Sequence, residues 1–161
     1  MAYVNSLRNE VILSSPAHGR FIEGLLAGTP KPGTCMTIVG ATALVAGKFT
    51  WDPWSRADGA NGLIAILLPD DLLGGVIGTA FVTGARIKMY CPLPGDELQV
   101  LFGNASGTAD DVAVGGLLIV DGTTGKVIPT PGSPEREPFE ALEAIVDPSA
   151  DQLLAVMYTG S

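Results

Sequence analysis

The chain has 161 residues and is unusually apolar, with 47% hydrophobic and 16% charged residues, so it can bury the core of one domain. Its formal net charge of −8 disfavours binding to nucleic-acid phosphates, and its longest apolar run, residues 63–68, is far too short to span a bilayer. Residues 1–15 lack the pattern of a secretory leader, which indicates synthesis in a cytoplasm.

Turn-forming residues are spread along the whole chain. The 21 glycines and 12 prolines separate short apolar runs, a pattern typical of many short strands. We therefore predict an all-β fold, a sandwich or barrel of short antiparallel strands with little or no helix. The apolar surplus also predicts an oligomer or a large partner surface, because extended exposed apolar patches usually mark interfaces.

The N-terminal segment contains one apolar cluster, Val11, Ile12 and Leu13, followed by a turn. One interpretation is a frayed terminus that carries a single strand. The other is an extended arm that adds a strand to the sheet edge of a neighbouring subunit. We divide the chain into an arm, residues 1–19, and a single β-rich domain, residues 20–161.

In the first half of this domain, residues 20–32 predict an apolar strand or turn, and four further apolar stretches predict strands. Residues 34–39 are apolar on both faces, and residues 62–68 form a buried strand. Residues 49–51 are a short aromatic strand that the following Asp-Pro should stop. Residues 79–90 alternate between two faces, with a bulge expected at Gly84.

Residues 90–129 carry the clearest pattern. A rigid turn of prolines and Gly95 leads into a strand in which Leu98, Val100 and Phe102 share one face. Two further apolar runs, 117–120 and 126–128, flank an Asp-Gly loop, which predicts a hairpin with Gly125 in the left-handed conformation. Residues 139–146 fit either a helix or a strand, because eight residues do not separate the two periods.

Several of these residues occur in the same order in a known family. They are Tyr90-x-Pro92 with Gly95-Asp96, Gly115-Gly116-Leu117, Asp121-Gly122 with Gly125-Lys126, and Pro138-Phe139 with Ala141-Leu142-Glu143-Ala144. The order resembles the capsid decoration, or cement, proteins of tailed bacteriophages. The similarity covers the C-terminal half well and residues 24–84 more loosely. It implies a strand at 139–146 that pairs with residues 153–158.

No residue pattern in the sequence predicts catalysis. The sole histidine, His18, lies in a turn without a nucleophile motif, and no phosphate-binding glycine loop or zinc motif occurs. The aspartate pairs at 70–71 and 110–111 lack the spacing of a calcium loop. We therefore predict no enzymatic activity, no cofactor and no metal, and a small hydrolase is the least favoured function. Cys35 and Cys91 are predicted to be free thiols.

The resemblance implies a structural virion protein on the outer surface of the expanded phage head, made in the host cytoplasm. It would bind the major capsid protein and itself, as a homotrimer, but neither nucleic acid nor membrane. Our candidate contact residues are Val11, Ile12 and Leu13 in the arm and Trp51 and Trp54 in a loop. The alternative is a carbohydrate-binding or adhesin-type β-sandwich that uses Trp51, Trp54, Asp52 and Asp58.

Overall fold

A computed structural model of the chain describes residues 11–14, 19–38, 49–54, 63–69, 78–103, 111–130, 138–146 and 151–160. Within these ranges the fold is all-β and contains no helix, which confirms the predicted fold class. The strands are β1 (Ile12–Ser14), β2 (Arg20–Leu26), β3 (Cys35–Ile38), β4 (Thr50–Pro53), β5 (Ala65–Leu67), β6 (Arg86–Cys91), β7 (Glu97–Phe102), β8 (Leu117–Val120), β9 (Val127–Pro129), β10 (Phe139–Ala141) and β11 (Gln152–Tyr158).

Five strands close into a barrel in the order β2-β4-β3-β5-β6. All pairs are antiparallel except β2 and β4, which run parallel. The prediction that the strand at 49–51 stops before Asp52 is wrong, because Asp52 and Pro53 pair with Thr37 and Met36 of β3. The side chains that fill the barrel are Leu26, Met36, Trp51, Ala65, Leu67, Ile87, Met89 and Cys91.

The other six strands form a sheet in the order β1-β7-β11-β10-β8-β9. This sheet curls, because β9 also pairs in parallel with β7 at Val127 and Phe102. The predicted face of Leu98, Val100 and Phe102 is buried against side chains from the other sheet strands, including Leu154, Val156 and Phe139.

A second core, separate from the barrel interior, is shared by the barrel and the sheet. On β3, β5 and β6 the residues Cys35, Ile66 and Tyr90 face away from the barrel interior and pack with the sheet side chains. Backbone hydrogen bonds join the two parts directly: the Leu101 amide donates to the Gly33 carbonyl at 2.9 Å, and the Cys35 amide to the Gly125 carbonyl at 2.8 Å. β3, which lies within the stretch 34–39 predicted to be buried on both faces, thus separates two sets of apolar side chains.

The predicted hairpin at 117–128 is present as β8 and β9. The Asp121 carboxylate accepts hydrogen bonds from the amide and hydroxyl of Thr124, and Gly125 has a φ of 69°, the left-handed conformation expected there. The expected strand at 79–90 is shorter, since β6 begins at Arg86. Gly84 has a φ of 84° and lies in a turn closed by an Ala85 to Val82 hydrogen bond rather than in a bulge.

Residues 139–146 begin as a strand, as the resemblance implied. β10 pairs with β11 through Phe139–Tyr158 and Ala141–Val156, and Ile145 then forms a single bridge with Val112. The connecting residues 147–150 lie outside the described part of the chain. Beyond Ala141 the backbone bends, so neither a helical period nor a strand period fits all eight residues.

Candidate interaction surface

Trp51, a predicted contact residue, lies inside the barrel. Its side chain is 1% exposed and packs with Leu26, Met36 and Met89. The ring lies directly over Gly24 of β2, where a Cβ atom would meet the indole Nε1 at 2.7 Å. Trp51 is therefore a core residue, and its ring fits because Gly24 has no side chain.

Trp54 follows β4 and is only half-buried. It packs against the core that the barrel and sheet share, and its backbone amide donates to the Cys35 carbonyl at 2.8 Å. The indole nitrogens of Trp51 and Trp54 are both buried and have no hydrogen-bond partner among the described residues.

The apolar cluster of the predicted arm pairs within its own chain. In β1, Ile12 lies opposite Leu98 of β7, and the Gln99 amide donates to the Val11 carbonyl at 2.6 Å. Val11 is buried in the shared core, while Ile12 and Leu13 are half-buried. Residues 1–10 and 15–18 lie outside the described ranges, and the contact role of all five candidate residues stays a prediction.

The strongly exposed apolar side chains differ from the five predicted contact residues. Phe21 is 67% exposed, and Val146 is 75% exposed although it directly follows the buried Ile145. The sequence analysis did not single them out, because an alternating pattern shows which residues share a face but not which face is covered. The large exposed apolar residues described by the structure are Phe21, Phe49, Leu63, Val82, Leu93, Val114, Leu117 and Val146.

The position of Phe21 is fixed by a buried polar group beneath it. Its ring lies 5.3 Å from the Tyr90 ring, at an angle of 60°. The Tyr90 hydroxyl donates to the Asp96 carboxylate at 2.8 Å and accepts from the Gly19 amide at 2.8 Å. Asp96 is fully buried and also accepts from the Leu93 amide. The Tyr90 hydroxyl therefore links the start of β2, next to Phe21, to the β6–β7 turn.

Both cysteines are free and buried, as predicted. Burial raises the pKa of the Cys35 thiol far above its usual range and that of Cys91 to about 11, where the nearby Arg20 charge partly opposes the effect. Since the thiolate is the reactive form, burial disfavours a nucleophilic role for either side chain at neutral pH.

Neither a metal centre nor a membrane helix is found in the described ranges. No three His, Cys, Asp or Glu side chains there are grouped so that they could hold a metal ion. The part of the chain that the structure describes also contains no helix that could cross a bilayer.

The fold is similar to a solved structure of a phage head protein. That structure is the N base of the head fiber gp8.5 of bacteriophage phi29, with a TM-score of 0.53 and 15% sequence identity. The similarity covers 88% of this chain and 95% of that one. No protein-family model and no curated protein matches the chain. At this identity the likeness concerns the fold.

Proposed function

We propose that this protein is a structural component of a tailed-phage head, attached to the outer surface of the shell as a decoration protein. The observation that supports this best is the fold, which over 88% of the chain is similar to the base of a phage head fiber. The resemblance in residues 90–144 to capsid decoration proteins supports the same role independently of the fold.

In this proposal the partner is the major capsid protein of the expanded head, and the protein binds it as a homotrimer. A ligand that binds only the assembled, expanded shell stabilises that shell by its binding free energy. A trimer that touches several capsid subunits makes its later contacts effectively intramolecular, so each contact can be weak. The apolar composition and the exposed Phe21, Val114 and Val146 fit a protein that works through such surfaces.

The glycan-binding alternative has less support. A sugar-stacking platform needs an exposed aromatic face, whereas Trp51 is 1% exposed and Trp54 is half-buried. Asp58, the carboxylate proposed beside them, lies outside the described residues.

Binding to phage heads tests the proposal. Purified protein is mixed with expanded, undecorated shells and with unexpanded shells of the same phage, and the bound fraction is measured after sedimentation. We expect saturable binding to the expanded shells alone and a higher melting temperature of those shells. Equal binding to both shell forms would remove the cement role, and no binding to either would remove the head assignment.

A further inference from the structure

One outward face of the barrel is basic and apolar. The register of β2 and β6 places Glu23 opposite Lys88 and Leu25 opposite Arg86, on the face turned away from the barrel interior. Phe21 lies at one end of this face, over Tyr90. We call this face the barrel strip, and its members are Phe21, Glu23, Leu25, Arg86 and Lys88. All are exposed except Leu25, which is half-buried.

One outward row of the sheet is acidic and apolar. Cross-strand pairing places Leu117, Glu140, Met157 and Glu97 side by side on four neighbouring strands. Their sequence neighbours Leu118, Phe139, Val156 and Leu98 point into the core, so this row faces out. Leu117 is 47% exposed, and the other three residues are half-buried. We call this row the sheet strip.

The two strips are complementary in charge and similar in length. The barrel strip carries two cations and one carboxylate, and the sheet strip carries two carboxylates and no cation. Four strands about 4.8 Å apart span about 14 Å across the sheet. The barrel strip runs along β2 from Phe21 to Leu25, and its four rises of about 3.4 Å also add up to about 14 Å. Each strip also presents one strongly exposed apolar side chain, Phe21 or Leu117.

We propose that the barrel strip of one copy of this chain binds the sheet strip of a second copy. The contact is heterologous, since it joins two different surfaces, and an open assembly therefore keeps one unused barrel strip at one end and one unused sheet strip at the other until it closes into a ring. Lys88 and Arg86 face Glu140 and Glu97 across the contact, while Phe21 and Leu117 are removed from water. This inference concerns contacts between copies and is independent of binding to a phage head.

Charge reversal tests the contact with purified protein alone. Arg86→Glu alters the barrel strip and Glu140→Lys alters the sheet strip, and Lys31→Glu, on an exposed residue outside both strips, makes the same charge change as a control. Sedimentation velocity measures the mass of each protein over a concentration series. We expect wild type and the control to associate and each strip variant to associate at least 10-fold more weakly.

Mixing the two strip variants provides the decisive measurement. In the mixture, the unaltered barrel strip of Glu140→Lys meets the unaltered sheet strip of Arg86→Glu, and the two side chains that the substitutions introduce again have opposite charges. We therefore expect the equimolar mixture to recover association that neither variant shows alone. Failure to recover it, a monomeric wild type, or loss of association in Arg86→Glu alone would each overturn the proposal.

Two further measurements guard against variants that fail to fold. Raising the salt concentration should weaken association of the wild type, because the charged pairs lie near the surface. Phe21→Ser and Leu117→Ser should weaken association at any salt concentration, whereas Val146→Ser, which is more exposed than either but lies outside both strips, should not. The proposed strips would be contradicted if raised salt, Phe21→Ser and Leu117→Ser all left association unchanged.

Discussion

At the scale of single residues, the clearest feature is the close approach of Trp51 to Gly24. The largest side chain in the barrel fits because the residue beneath it has no Cβ atom. The sequence analysis named Trp51 as a candidate contact residue and did not predict its place in the barrel core. Its short strand gives no sign of burial, because the barrel that covers it is closed by β3 and β2, which lie elsewhere in the sequence.

Gly24→Ala should therefore destabilise the protein. A methyl group there would collide with Trp51 Cδ1 and lie 2.7 Å from Nε1, and forcing extra atoms into a packed core costs about 1–3 kcal/mol. This exceeds the roughly 0.4–1 kcal/mol that Ala gains over Gly through the unfolded chain. Urea unfolding followed by tryptophan fluorescence measures the change. Gly78→Ala is the control, since no atom lies within 4 Å of the added methyl, and an equal loss there would contradict the packing argument.

At the scale of elements, the β8–β9 hairpin and its loop connect the sheet to the barrel. The hairpin, the loop and its left-handed glycine were all predictable, because turn chemistry is local. The contact between Gly125 and β3 was not, because it joins segments distant in sequence. The same limit explains the segment at 79–90: alternation was visible, but the hydrogen bond from the Gly84 amide to the Leu26 carbonyl, which holds the turn, was not.

A comparison of Gly125 with Gly84, which also has a positive φ, distinguishes the cost of backbone strain from the cost of a steric contact. Gly125→Ala and Gly84→Ala both place alanine in the left-handed region, which costs about 1–2 kcal/mol. At Gly84 the methyl meets nothing within 4 Å, whereas at Gly125 it meets the Cys35 carbonyl and lies 2.9 Å from the Trp54 amide. We expect Gly125→Ala to lose about 1–3 kcal/mol more than Gly84→Ala in thermal or urea unfolding. Equal losses would show that the loop can move away from β3.

At the scale of the whole molecule, the shared core argues for a single cooperative unit. Cys35, Ile66 and Tyr90 belong to the barrel wall by pairing and to the sheet core by packing. Removing the sheet would expose the apolar outer face of three barrel strands to water, although the barrel interior has its own apolar cluster. The single β-rich domain at 20–161 remains a prediction, since part of that range is not described, but the core gives it a physical basis.

Native-state hydrogen exchange can measure this coupling. The amides of Met89 in the barrel and Leu154 in the sheet should exchange with the same free energy of opening, equal to the global free energy of unfolding. Tryptophan fluorescence and far-UV circular dichroism should also report one coincident transition. A lower opening free energy at either amide would show that the barrel and the sheet unfold separately.

The two-sided burial of β3 has a consequence for how the chain folds. In a strand with one polar face, a slip of one residue turns apolar groups toward water and is penalised at once. In β3 a slip would exchange Cys35 and Met36 between two apolar surroundings, so hydrophobic burial alone does not select the register. The register is instead selected by the hydrogen bonds that Cys35 makes with Gly125 and Trp54. The bond to Gly125 forms only after the β8–β9 hairpin, which is distant in sequence, packs against β3. Correct pairing of β3 should therefore be a late and slow event in folding, as long-range β pairing generally is.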